Sequence, residues 1–320
     1  MIRILLLTTL LAGPALADEI WVTNEMDDTV SVIDAKTLTL KTTYPTGERP
    51  RGVTFSKDFK YLFICASDSD AVQVMDPNTG EILHDLPSGE DPEQFVLSPD
   101  NRTLYIANED DAITTVVDTE TRRVVAQIDV GVEPEGMGIS PDGTVQVTTS
   151  ETTNMAHWID TATQKIIANS LVDSRPRHAE FSPDGAQLWV SSEIGGTVTV
   201  FDTETKAEIG KIGFEIKGVQ PEKLQPVGMK FSPDATRVFV ALGPANHLAV
   251  INVADLSVEK YILVGRRVWH MAISPDQTRL FTTNGVSGDV TAIDIASLEP
   301  VATIQVGRFP WGAAARPTDN

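Results

Sequence analysis

A single cysteine, Cys65, stands in a chain of 320 residues, so neither an intramolecular disulfide nor a Cys-x-x-Cys-His haem attachment can form. It sits beside Ile64 in an apolar stretch and reads as a small buried hydrophobe. Basic residues are also scarce: 25 Lys and Arg face 45 Asp and Glu, a formal net charge of −20. A surface of that sign repels phosphate backbones and anionic headgroups within a Debye length. Nucleic acid and membrane surfaces are therefore excluded as expected partners, while cations are favoured and solubility is maintained. The sequence also lacks a Gly-x-Ser-x-Gly elbow, a Gly-x-x-x-x-Gly-Lys-Ser/Thr loop and a dinucleotide fingerprint. A site assembled from separate repeats would leave no such contiguous motif.

Long apolar runs are missing too. The N-terminal one, Ile4 to Leu11, follows Met1-Ile2-Arg3 and precedes Ala15-Leu16-Ala17, the layout of a secretory signal and too short to span a bilayer. Residues 1–17 are expected to be a cleaved signal, leaving 18–320 as one domain. Export is expected, which in a bacterium means the periplasm or beyond, as a monomer without membrane insertion.

What is present is a repeat. Ser98-Pro99-Asp100, Ser140-Pro141-Asp142, Ser182-Pro183-Asp184, Ser232-Pro233-Asp234 and Ser274-Pro275-Asp276 each follow a short apolar run, and Ser56-Lys57-Asp58 fits the same slot. Every step is 42 residues except one of 50, between 182 and 232. Within one copy, turn residues separate four strand-like segments, Gln94–Ser98, Leu104–Asn108, Ile113–Val117 and Val124–Val130. An Asp recurs in the last hairpin (Asp34, Asp76, Asp118, Asp160, Asp202, Asp294, with Asn252 in one copy) and reads as a turn cap. A repeat of this length and content predicts an all-β, seven-bladed β-propeller with four antiparallel strands per blade. The N-terminal copy lacks its first strand, and Trp311 to Ala315 supplies it, so one blade is expected to close the ring from both termini. The longer step adds eight residues between Phe214 and Pro226, either on the binding face or as a tolerated surface loop.

Repeating Gly, Pro and Asp belong to the scaffold, so function is expected where the copies differ. The first strand of each blade lines the channel and follows a Gly-x-x-Pro-x-Gly pattern. The slot after the proline holds Arg51, Glu93, Glu135, Arg177, Val227, Trp269 and Trp311; the slot before it holds Arg49, Asp91, Glu133, Arg175, Gln225, Arg267 and Phe309. The mouth is thus expected to be sectored, basic at Arg49/Arg51 and Arg175/Arg177, acidic at Asp91/Glu93 and Glu133/Glu135, aromatic at Trp269 and Trp311. In the next slot His178 and His270 replace the glycine found at 52, 136, 228 and 312, where an imidazole could bind a ligand, take a metal or fill volume. Glu25, Glu109, Glu151 and Glu193 follow the second strand in register and, with Glu93 and Glu135, could hold a divalent cation. No other cofactor is expected.

Trp21-Val22-Thr23-Asn24 and Tyr105-Ile106-Ala107-Asn108, each followed by a polar loop and a hairpin of the Asp-Thr-x-Thr kind, resemble the YVTN family of β-propeller repeats. At full length the sequence is most similar to the PQQ-dependent catabolism-associated β-propeller proteins. That resemblance implies an exported bacterial protein accessory to quinoprotein alcohol oxidation, holding a periplasmic protein partner or a small-molecule ligand at the channel mouth. It supplies no functional residues. Quinoprotein dehydrogenases themselves are longer, have eight blades and carry a vicinal disulfide, which one cysteine forbids. Propellers of similar size include lactonases, which implies a hydrolase that opens lactones, with or without a metal, as the alternative. A third resemblance, to the propeller of haem d1 proteins, would make His178 or His270 an iron ligand.

Overall fold

A computed structural model describes residues 18–318; the signal expected over residues 1–17 lies outside the described residues. Twenty-eight strands, β1 to β28 in chain order, form seven antiparallel sheets of four, the propeller that the repeat predicts. The third blade shows how the sequence builds one, from β8 (Pro92–Leu97), β9 (Thr103–Asn108), β10 (Ile113–Asp118) and β11 (Arg123–Asp129). At the β8–β9 turn Ser98 Oγ donates to Asp100 Oδ1 at 2.5 Å and accepts from Thr103 N at 2.8 Å. The Ser–Asp bond recurs at Ser56, Ser140, Ser182, Ser232 and Ser274, so the serine of the tripeptide is a turn-locking residue. In the last hairpin Asp118 Oδ1 accepts from the amides of Glu120 and Thr121, the capping role expected of it.

Ring closure follows the expected route. Strand β1 (Glu19–Asn24) lies between β2 (Thr29–Asp34) and β28 (Pro310–Arg316), with Glu19 opposite Arg316 and Asn24 opposite Pro310; β3 (Thr39–Pro45) completes the blade. Thr23 Oγ1 accepts from Gly312 N at 2.9 Å and donates to Arg51 O at 2.8 Å, tying this blade to the inner strand of the next, β4 (Pro50–Phe55). A Cβ at residue 312 would meet Arg51 O at 2.5 Å, so glycine is required where these inner strands approach.

Aromatic pairs seal the blade interfaces: Trp21 meets Phe55 edge-on at 5.8 Å, Phe63 meets Phe95 at 6.5 Å and Trp189 meets Phe231 at 5.7 Å. Each buried ring contributes roughly 1.5–3 kcal/mol. The axis is surrounded by β4, β8, β12 (Pro134–Ile139), β16 (Pro176–Phe181), β20 (Met229–Phe231), β24 (Val268–Ile273) and β28. These strands start on one face of the ring, here the loop face, and end at the Ser-Pro-Asp turns of the other, the turn face. The eight extra residues lie on the loop face around a 3-10 turn, Pro221–Lys223. They pack Leu224, Ile216 and Val219 onto the core between Trp189 and Val240, covering the seam between the fifth and sixth blades.

Candidate functional site

The slots around the proline gather into one layer at the loop-face end of the channel. Its basic and acidic sectors, expected to lie side by side, interlock across blades. Arg51 pairs with Glu93 of the next blade and, at 3.1 Å, with Glu25; Arg49 reaches Asp91 at 3.0 Å, Glu93 at 3.1 Å and Asp68 at 3.3 Å. Arg177 Nη1 lies 2.7 Å from Glu135 Oε2 and 2.5 Å from Glu151 Oε1. Arg175 binds Glu151 at 2.6 Å, and Arg267 binds Glu193 at 2.8 Å. Trp269 stacks against Arg267, 4.1 Å from the guanidinium carbon to the ring centre, with Arg177 at 5.6 Å; Trp311 faces Arg51 at 5.6 Å. With Glu93 at 0%, Glu135 and Trp311 at 1% and Arg177 at 6% exposure, this layer is a plug.

Burial sets the charge states here. It opposes a charge on Arg177, but Glu135, Glu151 and Glu193 overrule it and raise the guanidinium pKa. Burial lifts the Glu135 pKa well above the ordinary carboxylate value against the pull of Arg177, and the neighbouring Glu151 adds to the rise. Burial would also raise Glu151, yet the adjoining Glu135 carboxyl and the charges of Arg177 and Arg175 lower it. Glu109 is pushed up by burial and then by Glu151 and Asp91. Two carboxylate sets, Asp91–Glu93–Glu109 and Glu109–Glu133–Glu151, bring oxygens within 4.8 Å of one another and could hold a divalent cation. Arginines already occupy Asp91, Glu93 and Glu151.

Below the plug is a channel cavity of about 430 Å³ that reaches the turn face at Ser56, Lys57 and Phe59. His178, His270 and Trp311 line its upper end; Arg49, Arg51, Glu93, Glu135, Arg175, Arg177, Arg267 and Trp269 do not line it. His270 lies 4.2 Å from the Trp311 ring and 5.7 Å from that of His178, centre to centre. Burial, followed by the charges of His178, Arg177 and Arg51, drives the His270 pKa well below the usual imidazole value, so the ring is neutral near pH 7. No hydrogen bond to a described residue occupies either of its ring nitrogens, although its backbone amide donates to Thr283 Oγ1. Gln94 Nε2 and His178 Nδ1 are buried without a hydrogen-bond partner.

Two charged residues of this cavity escape a reading confined to the proline slots. Glu180 Oε1 accepts from Lys230 Nζ at 2.8 Å, and Glu180 Oε2 lies 3.4 Å from His178 Nε2. They occupy equivalent positions on neighbouring inner strands, where other copies hold Thr54, Val96, Gly138, Ala272 and Ala314. Comparison of that slot across the repeats would have exposed both. Burial opposes ionisation of Glu180, but Lys230 and His178 prevail and bring its pKa to about 2. A depressed carboxylate pKa supplies stability that is full above about pH 4.5 and is lost as the pH falls toward 2. Lys230→Met is expected to raise the pH of acid unfolding, read as Tm between pH 3 and pH 7; an unchanged acid limb would show that the pair adds nothing.

The fold and this layout define a seven-bladed β-propeller whose axial cavity is plugged on one side. Its similarity runs to two groups of propellers: residues 3–113 match the model of the YNCE-like β-propeller family, and residues 160–299 match that of the seven-bladed β-propeller lactonases. No curated protein matches. Among solved structures, hydrazine synthase of Kuenenia stuttgartiensis superposes with a TM-score of 0.79 at 20% identity, over 86% of this chain and 92% of that one. A functionally unknown protein from Desulfotomaculum acetoxidans gives 0.79 at 15% identity, over 95% and 100%. A proposed 6-phosphogluconolactonase from Bacteroides fragilis gives 0.79 at 16% identity, over 95% and 99%. At these identities the likeness concerns the fold.

Proposed function

We propose that the chain is an exported binding propeller that holds a small organic anion in its channel, entering from the turn face, as an accessory to PQQ-dependent alcohol oxidation. The observation that carries the binding reading is the charge of the cavity. In a protein with a net charge of −20, the charged side chains lining it are Lys57 and Lys230 against a single carboxylate, Glu180, with Arg51 and Arg177 bearing on His270 from above. An anion placed there meets a positive field inside low-dielectric walls. The neutral, unpartnered imidazole of His270 and the Trp311 face give it a hydrogen-bond site and a flat surface. The link to alcohol oxidation is supported by the full-length resemblance to the PQQ-dependent catabolism-associated β-propeller proteins.

The test is calorimetric titration with a panel of small carboxylates, including PQQ, against the wild type, His270→Ala and Lys230→Met. A carboxylate that binds the wild type and loses about tenfold in affinity in each variant, about 1.4 kcal/mol, supports the reading. Equal affinities, or no binding from the panel, would remove it.

Lactone hydrolysis is the second reading, favoured because the lactonase match spans His178, Glu180, Lys230 and His270. In that chemistry neutral His270 accepts a proton from the water that attacks the lactone carbonyl, the ring C–O bond breaks, and the proton passes to the departing alkoxide. Lactone-dependent acid release, absent in His270→Ala, would select it over simple binding. A haem-type macrocycle suits this site poorly, because the Trp311 and His178 rings flank His270.

A further inference from the structure

We infer that the channel takes an elongated dicarboxylate, with one acidic group seated under the plug and the other held at the turn-face mouth by Lys57. The inference rests on the reading of the channel as an anion site and adds the class of anion. It starts from the turn of the second blade, the one place where the repeat gives up its proline. Pro99, Pro141, Pro183, Pro233, Pro275 and Pro317 fill that slot in the other six copies, and Lys57 fills it here. Without a proline ring the slot keeps its N–H, which donates to Asn101 Oδ1 of the next blade at 2.7 Å and fixes the lysine backbone. Two residues on, Phe59 has a φ of 55° where the equivalent residues are Asn101, Gly143, Gly185, Ala235 and Gln277. A left-handed backbone is strained for an aromatic residue, although the ring also packs 6.0 Å from Phe55. Ser56, Lys57 and Phe59 all line the cavity where it opens, and among the described residues no other turn of this kind contributes to its wall. The turn that departs from the repeat is the one that reaches the mouth.

The charge that Lys57 brings is uncompensated. Among the described residues no ion pair or hydrogen bond engages its ammonium, since neighbouring Asp58 is taken by Ser56 at 2.7 Å and Lys60 at 3.0 Å, whereas Lys230 is matched by Glu180. The inner end has the complementary deficit. Gln94 Nε2 and Trp311 Nε1, on residues 9% and 1% exposed, meet no acceptor. Both atoms can only donate, and buried donors are almost always paired, so a carboxylate at that end supplies what they lack. Between the ends the wall includes Phe55, Phe95, Ile273 and Ala314 and is broken on one side by the Glu180–Lys230 pair. Lys57 stands five residues beyond Gly52, the slot that Gln94 and His270 occupy in their own blades, which is ~16 Å along an extended strand. A chain of methylenes with an acid at each end matches that order of surfaces. A monoacid leaves one end unanswered, and a compact diacid cannot reach both.

The test is calorimetric titration of the full chain with linear dicarboxylates from succinate to dodecanedioate, each beside its monomethyl ester. The ester keeps the length and the apolar stem and removes one charge. The acids are expected to gain over their esters as the chain lengthens, reaching about tenfold in affinity at the best length. Lys57→Met should bring that acid down to its ester, and Lys57→Arg should keep the gap. Gln94→Ala should weaken acid and ester alike, because either seats a carboxylate at the inner end. Lys57 is exposed, and unchanged Tm values establish that its variants are folded. A gap that is absent at every length, that is widest for succinate, or that survives Lys57→Met overturns the inference, while binding that His270→Ala still weakens keeps the channel reading. No binding by any acid or ester removes both.

Discussion

Deletion of residues 309–320 is expected to leave a protein that does not fold to a soluble monomer. Every other blade takes its four strands from one stretch of chain, whereas the first takes its inner strand, β28, from the far end. Removal of β28 strips the pairing that runs from Glu19–Arg316 to Asn24–Pro310 and exposes the whole edge of β1. It also removes Trp311 and Ala314, both buried, and with them one wall of the channel. A ring opened at one blade cannot bury the facing surfaces of its neighbours, so the loss spreads beyond the deleted strand. Size-exclusion chromatography and circular dichroism read the outcome. A circular permutant provides the control: Thr318 is joined to Asp18 through a short glycine–serine linker, and new ends open between Lys217 and Gly218. It keeps all 28 strands and should fold, because nothing lies within 4 Å of where a Gly218 side chain would project. A folded deletion variant, or an unfolded permutant, would place the stability of the ring elsewhere than in its closure.

The blade count and the closing strand were legible because both depend on backbone periodicity, which a 42-residue repeat writes directly into the sequence. Strand ends were legible for the same reason: the Ser-Pro-Asp and hairpin Asp residues that stop strands act on their own backbone. The site was legible only in part. Equivalence of the inner strands is enough to gather Arg51, Glu93, Glu135, Arg177, Trp269 and Trp311 into one layer. It cannot say which side chain each will meet. Arg49 pairs with Asp91, one repeat away, and Arg267 reaches Glu193, 74 residues away, because long side chains bridge blades at angles that spacing does not encode. Whether the layer is a mouth or a plug depends on those pairings. Hence the cavity lies under the expected ligand residues, with only His178, His270 and Trp311 of them on its wall. Glu180 and Lys230 were hidden for a simpler reason: they stand beyond the slots that adjoin the proline.

Arg177→Met is expected to cost on the order of 3–5 kcal/mol, the usual penalty for stranding a buried charge. The methionine fills much of the same volume, so the loss is electrostatic. Glu135, Glu151 and Glu193 are 1%, 4% and 2% exposed, and all three lie within 4.0 Å of the guanidinium. Arg175 still reaches Glu151 and Glu193, and Arg267 still reaches Glu193, but Glu135 has no second cation. For a ring of this size the cost corresponds to a fall in Tm on the order of 10 °C. The pH dependence identifies the cause. Without Arg177 the folded-state pKa values of Glu135 and Glu151 rise, and a raised carboxylate pKa supplies stability at low pH that is lost as the pH climbs through it. The variant should therefore lie nearest the wild type in mild acid and fall furthest behind it above neutrality. Glu135→Gln added to Arg177→Met should flatten that slope and recover part of the loss, since the amide has no charge to strand. Tm measured from pH 5 to pH 9 for the three proteins decides the matter. A uniform deficit across that range would assign the role of Arg177 to packing against Trp269, while no deficit would show that the plug is dispensable to the fold.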